Sequence, residues 1–250
     1  MSSKIVLLKS NIHNLTMAET LALIETAILQ KKQLHHVVVN AGKLVAMQND
    51  DELRKSVNSA DIINADGQAV VWASKLLDRP LKERVAGIDL MQEVVAMAHQ
   101  KNFKIFLFGA REEVVSKVSQ KYTSSYGPNL IAGYRNGYFD ASDESEIARE
   151  ISESGANILF VAISSPIKEN FLFRHRELLK NVNFIMGVGG SFDVIAGVTK
   201  RAPLWMQKVG MEWFYRFMQE PRRMWKRYLF GNSKFMLLVM REWWGDKVRR

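Results

Sequence analysis

The chain has 250 residues, 47% hydrophobic and 24% charged, which excludes disordered, collagenous and low-complexity classes and allows one sizeable core. It has no cysteine, so disulfide frameworks, thiolate nucleophiles and cysteine-based zinc sites are excluded. The formal charge of +9 is unevenly placed: residues 200–250 hold 13 Lys and Arg against 4 Asp and Glu, while the preceding residues balance at 22 against 22.

The N-terminal stretch has only a four-residue apolar run at 5–8 and no small-residue cleavage site, so no signal peptide is expected. Further on, short β-branched or aromatic runs at 5–8, 36–40, 61–64, 104–108, 129–133, 158–163 and 183–187 predict strands. Between them, amphipathic stretches at 17–31, 67–77, 88–100, 112–122, 143–153 and 168–179 predict helices. Strands separated by single helices imply βαβ units, and their near-continuous apolar character implies helices on both faces of a mostly parallel sheet. The expected fold class is α/β and Rossmann-like, with a body at 1–199 and a basic, aromatic helical appendage at 200–250.

In such sheets ligands bind beyond the carboxyl ends of the strands. That rule selects Asn40, Asn64 to Gly67, Gly109, Ser164 to Pro166 and Gly187 to Gly190. Asp66 is the sharpest of these. As an Asp-Gly between strand and helix it reads either as an N-cap, the commoner role, or as a general base. Gly187-Val-Gly-Gly-Ser-Phe-Asp193 reads either as a tight turn or as a loop whose glycines let backbone N–H groups approach a diphosphate. It is neither a dinucleotide fingerprint nor a Walker A loop. The five histidines lack metal-ligand spacing, and there is no Gly-x-Ser-x-Gly elbow or Asp-x-Asp pair. Neither a bound metal nor another cofactor is therefore expected.

Residues 200–250 carry five of the six Trp, interleaved with Lys and Arg. A membrane-surface helix, a basic helix packed on the body and a nucleic-acid surface all remain open, in that order; no nucleic-acid motif accompanies the pattern, so no nucleic-acid partner is expected. No segment runs eighteen residues without charge, so none is expected to span a bilayer.

Taken together, several segments stand in a specific order. They are Val37-Val-Val-Asn-Ala41, Ala65-Asp-Gly67, Glu83-Arg-Val-Ala-Gly-Ile-Asp89, Phe106-Leu-Phe-Gly-Ala110 and Gly137-Tyr-Phe139. After them come Ser165-Pro-Ile-Lys-Glu169, Gly187 to Asp193, Arg201-Ala-Pro203, Glu212-Trp-Phe-Tyr-Arg216 and Glu220-Pro-Arg-Arg223. In this order the chain resembles the WecG/TagA/CpsF family of bacterial glycosyltransferases. The resemblance implies an inverting transferase that passes a sugar (N-acetylmannosamine, its uronic acid or glucose) from a UDP-sugar to a polyprenyl-diphosphate-linked acceptor. It also implies a cytoplasmic enzyme, peripheral on the anionic inner membrane face, that builds surface polymers, and it leaves room for a homo-oligomer. Asp66 is then the base, with Asn40 beside it. Gly67, Gly109, Glu169, Gly189, Gly190, Asp193, Arg216, Arg223 and Lys226 are assigned to the donor and its diphosphate. Two positions depart from the family pattern: Lys226 replaces the commoner Arg, and Lys168 replaces a Gln. The competing readings are a nucleotide-dependent oxidoreductase, which would need the missing dinucleotide fingerprint, and a basic binding module without transferase activity.

Overall fold

Helices cover both faces of a six-stranded, wholly parallel sheet in the computed structural model, which describes residues 3–249, excluding the side chains of 208, 223–230 and 249. The chain opens with β1 (Lys4–Leu7), β2 (Ser10–His13), α1 (Met17–Leu29) and β3 (Leu34–Val39). Then follow α2 (Ala41–Ala46), α3 (Asp51–Asn58), β4 (Ile62–Ala65), α4 (Gln68–Leu76), α5 (Gly87–Gln100) and β5 (Ile105–Gly109). The second half contains α6 (Glu112–Tyr126), β6 (Ile131–Arg135), α7 (Glu144–Glu153), β7 (Ile158–Ala162), α8 (Ile167–Arg174), β8 (Phe184–Gly187) and α9 (Ser191–Ile195). It ends with α10 (Leu204–Lys208), α11 (Glu212–Gln219) and α12 (Pro221–Arg249).

The sheet order is β4-β3-β8-β7-β5-β6. Strand side chains alternate between two cores, as the period of two requires. On β7, Ile158, Phe160 and Ala162 join α1, α5, α6 and α9, while Leu159 and Val161 face the core shared with α7 and α8. Because every β7 residue is buried, the sequence shows an unbroken apolar run rather than an alternation.

Two expectations need correction. The run at 5–8 is not a strand of the main sheet: β1 pairs antiparallel with β2 in a separate hairpin, with Leu7 opposite Ser10. The helix expected over 168–179 ends at Arg174, with His175 as its cap. The hairpin packs with α2, α3, α4 and the strands β3 and β4 in a third core.

That third core also receives Phe235 and Val239 of α12, each 2% exposed. The distal half of α12 is fixed further by Glu242, which accepts from the Leu8 N–H at 3.0 Å and pairs with Arg79 at 2.7 Å. Arg79 also pairs with Asp246. Residues 200–250 therefore end inside the body's packing. No helix among the described residues is long and apolar enough to cross a membrane.

Candidate active site

Five of the six parallel strands end in the polar or glycine-rich segments selected from the sequence. At the end of β3, Asn40 caps α2: its Oδ1 accepts from the Lys43 N–H at 3.0 Å. At the neighbouring end of β4, the Asp66 N–H donates to the Val39 carbonyl at 2.9 Å, continuing the register that pairs Val39 with Ala65. The two turns touch. A Cβ placed on Gly67 would stand 3.4 Å from the Cβ of Asn40.

Asp66 does not cap the helix that follows it. The N-cap of α4 is Gly67, without a side-chain bond. The Asp66 Oδ1 instead accepts from the N–H of Gly87 at the start of α5, at 3.1 Å. Burial raises the carboxyl above its ordinary range, against the pull of that N–H, Arg84 and Lys43, and with the push of Glu212. A carboxylate made more basic at a strand end is suited to accepting a proton near neutral pH.

A ladder of ion pairs runs close to this carboxylate, through Arg84 and Glu212, which both act on it. Arg201 grips Asp89 with both guanidinium nitrogens, at 2.5 and 2.8 Å, and reaches Glu212 at 3.3 Å. Arg84 reaches the other Glu212 oxygen at 3.4 Å. This ladder joins α5, the loop before it and α11, so the base of α11 is tied beside Asp66. Further along α11, the Arg216 guanidinium lies on the glycine loop after β8. A Cβ on Gly190 would come within 2.8 Å of its Nη2 and 3.8 Å of the Asp193 carboxylate. Gly190, Asp193 and Arg216 are thus brought together, with Gly189 in the same loop. Gly109 has a separate reason to be glycine. Its φ is +120°, and a Cβ there would meet the Ala162 backbone at 2.6 Å, so the close meeting of β5 and β7 already demands it.

Glu169 sits in the first turn of α8, 1% exposed, with Oε1 shared by Lys43 at 2.7 Å and Lys168 at 2.6 Å. Burial alone would raise its carboxyl, but the two ammonium groups hold it down to about 2. Arg223 and Lys226 fall on α12, where their side chains lie outside the described residues. Among the described residues, no three His, Asp or Glu side chains gather as metal ligands.

The motif reading did not give a part to Lys43, Arg84, Arg201 or Glu212. Arg84, Arg201 and Glu212 stood inside the quoted motifs, and their spacing from Asp66 was visible. Their convergence was not, because Arg84 and Glu212 are 128 residues apart.

A protein of Bacillus subtilis (strain 168) named N-acetylglucosaminyldiphosphoundecaprenol N-acetyl-beta-D-mannosaminyltransferase is 35% identical over 227 residues, covering 87% of this chain and 86% of that protein. The protein of the same name from Bacillus spizizenii (strain ATCC 23059 / NRRL B-14472 / W23) is 38% identical over 196 residues, covering 78% and 74%. The family model described as Glycosyl transferase WecG/TagA/CpsF family matches residues 5–249. The chain belongs to the WecG/TagA/CpsF family and is a glycosyltransferase.

Proposed function

We propose that this enzyme is an inverting transferase that moves a sugar from a UDP-sugar to a saccharide borne on a polyprenyl diphosphate, with Asp66 as the base. The observation that carries this reading is Asp66 itself: a carboxyl at a strand mouth, more basic than usual, with Arg84 acting on it and Arg84 tied to Glu212 of α11. The two Bacillus relatives are named for N-acetylmannosaminyl transfer to N-acetylglucosaminyldiphosphoundecaprenol, so that sugar and acceptor are our first assignment.

In the reaction an acceptor hydroxyl oxygen attacks the anomeric carbon from the face opposite UDP. Asp66 takes the hydroxyl proton, and the breaking bond's electron pair leaves on the UDP phosphate. Arg84 and Arg216 offset that growing charge, joined in our assignment by Arg223 and Lys226 of α12. Gly67, Gly109, Gly189, Gly190 and Asp193 line the mouth in which the donor is placed. Asn40 has its oxygen committed to Lys43, so its substrate contact falls to the amide nitrogen.

The same reading puts the enzyme on the inner membrane face. Leu204, Trp205 and Met218 are 74%, 63% and 64% exposed, in the segment that carries the whole net charge. Apolar and aromatic groups beside Lys and Arg suit an anionic lipid interface. The deciding experiment is UDP release from UDP-N-acetylmannosamine, its uronic acid and UDP-glucose, with a short-chain N-acetylglucosaminyl diphospholipid as acceptor. No release from any donor, or undiminished release by Asp66→Asn, would overturn the reading.

A further inference from the structure

The end of β8 carries a cation that the reaction described above does not use. The Lys168 side chain lies across Gly187, the last residue of that strand: a Cβ placed there would stand 2.7 Å from the lysine Cε. Its Nζ is 2.6 Å from Glu169 Oε1, the oxygen that Lys43 of α2 also takes, at 2.7 Å. Glu169 Oε2 is buried without a hydrogen-bond partner, so both ammonium groups crowd onto one oxygen. Lys43 has a second acceptor in the Val38 carbonyl of β3, at 2.8 Å. For the Lys168 ammonium, Glu169 is the one partner among the described residues.

Two ammonium groups in contact with one carboxylate leave one positive charge over, in side chains that are each 9% exposed. Holding such a charge away from water is costly unless a further anion meets it. Burial and the neighbouring Lys43 lower Lys168 to about 8, against the pull of Glu169, so it is mostly protonated at pH 7. The place is not closed core, because residues 164–167, immediately before Lys168, are all exposed. The strand ends also part here. β8 leads into α9, in the core that holds Met186, whereas its neighbours β3 and β7 lead into α2 and α8 on the opposite face. Where helices leave adjacent strand ends for opposite faces, a crevice opens that takes ligands. Asp66 hangs from β4, just beyond β3, and the loop of Gly190 and Arg216 follows β8 itself.

We propose that Lys168 is a binding residue for an anionic oxygen group of the donor, with Lys43 and Glu169 as its fixed support. The proposal rests on the UDP-sugar reading given above. Two groups of such a donor have this chemistry, the carboxylate of a uronic acid sugar and an oxygen of the diphosphate. Lys43 already satisfies Glu169 and is itself held by the end of β3, which leaves the Lys168 ammonium to the ligand. Glu169 then acts beneath the site, anchoring both cations, rather than on the donor. Lys168 is also one of the two departures from the family pattern, which has an uncharged Gln there, so this cation is a property of this chain.

The test measures binding to the full chain by calorimetry for UDP, UDP-N-acetylmannosamine and the uronic acid form of that donor. Lys168→Met keeps the stem over Gly187 and leaves the pair of Lys43 with Glu169 in place, so it should melt no lower than the parent. Its affinity for the ligand that carries the anionic group should fall by about 10–100-fold, as expected for a lost hydrogen bond to a charged group. A loss confined to the uronic acid donor assigns Lys168 to the sugar carboxylate, and an equal loss for all three ligands assigns it to the diphosphate. Unchanged affinity for UDP and for the uronic acid donor overturns the proposal and leaves the UDP-sugar reading standing. A parent chain that binds none of the three overturns both. Should Lys168→Met fail to fold, Lys168→Gln supplies the family's amide, and its affinities decide by the same criterion.

Discussion

The body and the C-terminal segment solve opposite problems. Residues before 200 have balanced charge and bury apolar strands on both faces. The last 51 residues carry the surplus of cations and leave several large apolar side chains exposed. Three of their four acids reach the body: Glu212 holds Arg84, and also Arg201 of its own segment, while Glu242 and Asp246 hold Arg79. The segment is thus clamped to the body through Glu212, Glu242 and Asp246.

The contrast is broken most strongly at the base. Asp66→Asn keeps the shape and removes proton acceptance, so turnover should fall by about 10²–10⁴-fold. Its melting temperature and UDP affinity should stay near those of the parent, and a loss in either would move the effect from chemistry to structure. Next comes the seam between the two regions. Phe235→Ala opens a cavity in the core shared with the hairpin and should cost about 3–5 kcal/mol in a denaturant titration. A cost below about 1 kcal/mol would mean that α12 is not part of the folded core.

Acid should act on the body, because all five histidines lie before residue 200. His35 and His36 are lowered to about 4 by burial, against about 6.5 when unfolded. Depressed folded values mean that the unfolded chain binds more protons between these limits. The stability contributed by the neutral rings is whole above pH 6.5 and is lost as the pH falls towards 4, on the order of a few kcal/mol. Thermal melts at pH 7 and pH 5 should differ accordingly; identical midpoints would place these rings in contact with water.

Smaller effects separate surface from clamp. Trp205→Ser should leave the melting temperature within about 1 °C, since exposed substitutions usually change little, yet weaken binding to anionic vesicles severalfold. Equal vesicle binding by the two proteins would remove this residue from the lipid-facing surface. Arg79→Ala breaks two partly exposed ion pairs and should cost about 1 kcal/mol. The useful reading there is hydrogen exchange in α12, which should quicken over its distal half and not in α5.

Much of the body was legible because parallel strands buried on both faces print themselves as apolar runs. The hairpin was harder. Of the four residues of β2 only Ile12 is apolar, with Ser10 and His13 buried polar groups and Asn11 exposed, so it reads as a loop. Helix α2 is six residues long, too short to show a helical period. Asn40 and Asp66 were found because they terminate strands. Lys43, Arg84 and Glu212 were not, because what gives them a part is convergence from distant segments. Spacing along the chain reports a face of a helix or a strand, and it says nothing of which strand ends become neighbours.

The division of β7 between two cores has a consequence for how such an enzyme can vary. Alternate residues of this one central strand serve opposite sides, so inserting or deleting a single residue within it would exchange the sides and shift the strand's end by about 3.3 Å. The same holds for β5, whose Ile105 and Leu107 face one core and Phe106 and Phe108 the other. Asn40 and Asp66 are hung from such ends, those of β3 and β4. Tolerance to length change is therefore confined to the connections, and a new sugar or acceptor has to be accommodated by substitution or by loop growth while the strand lengths stay frozen.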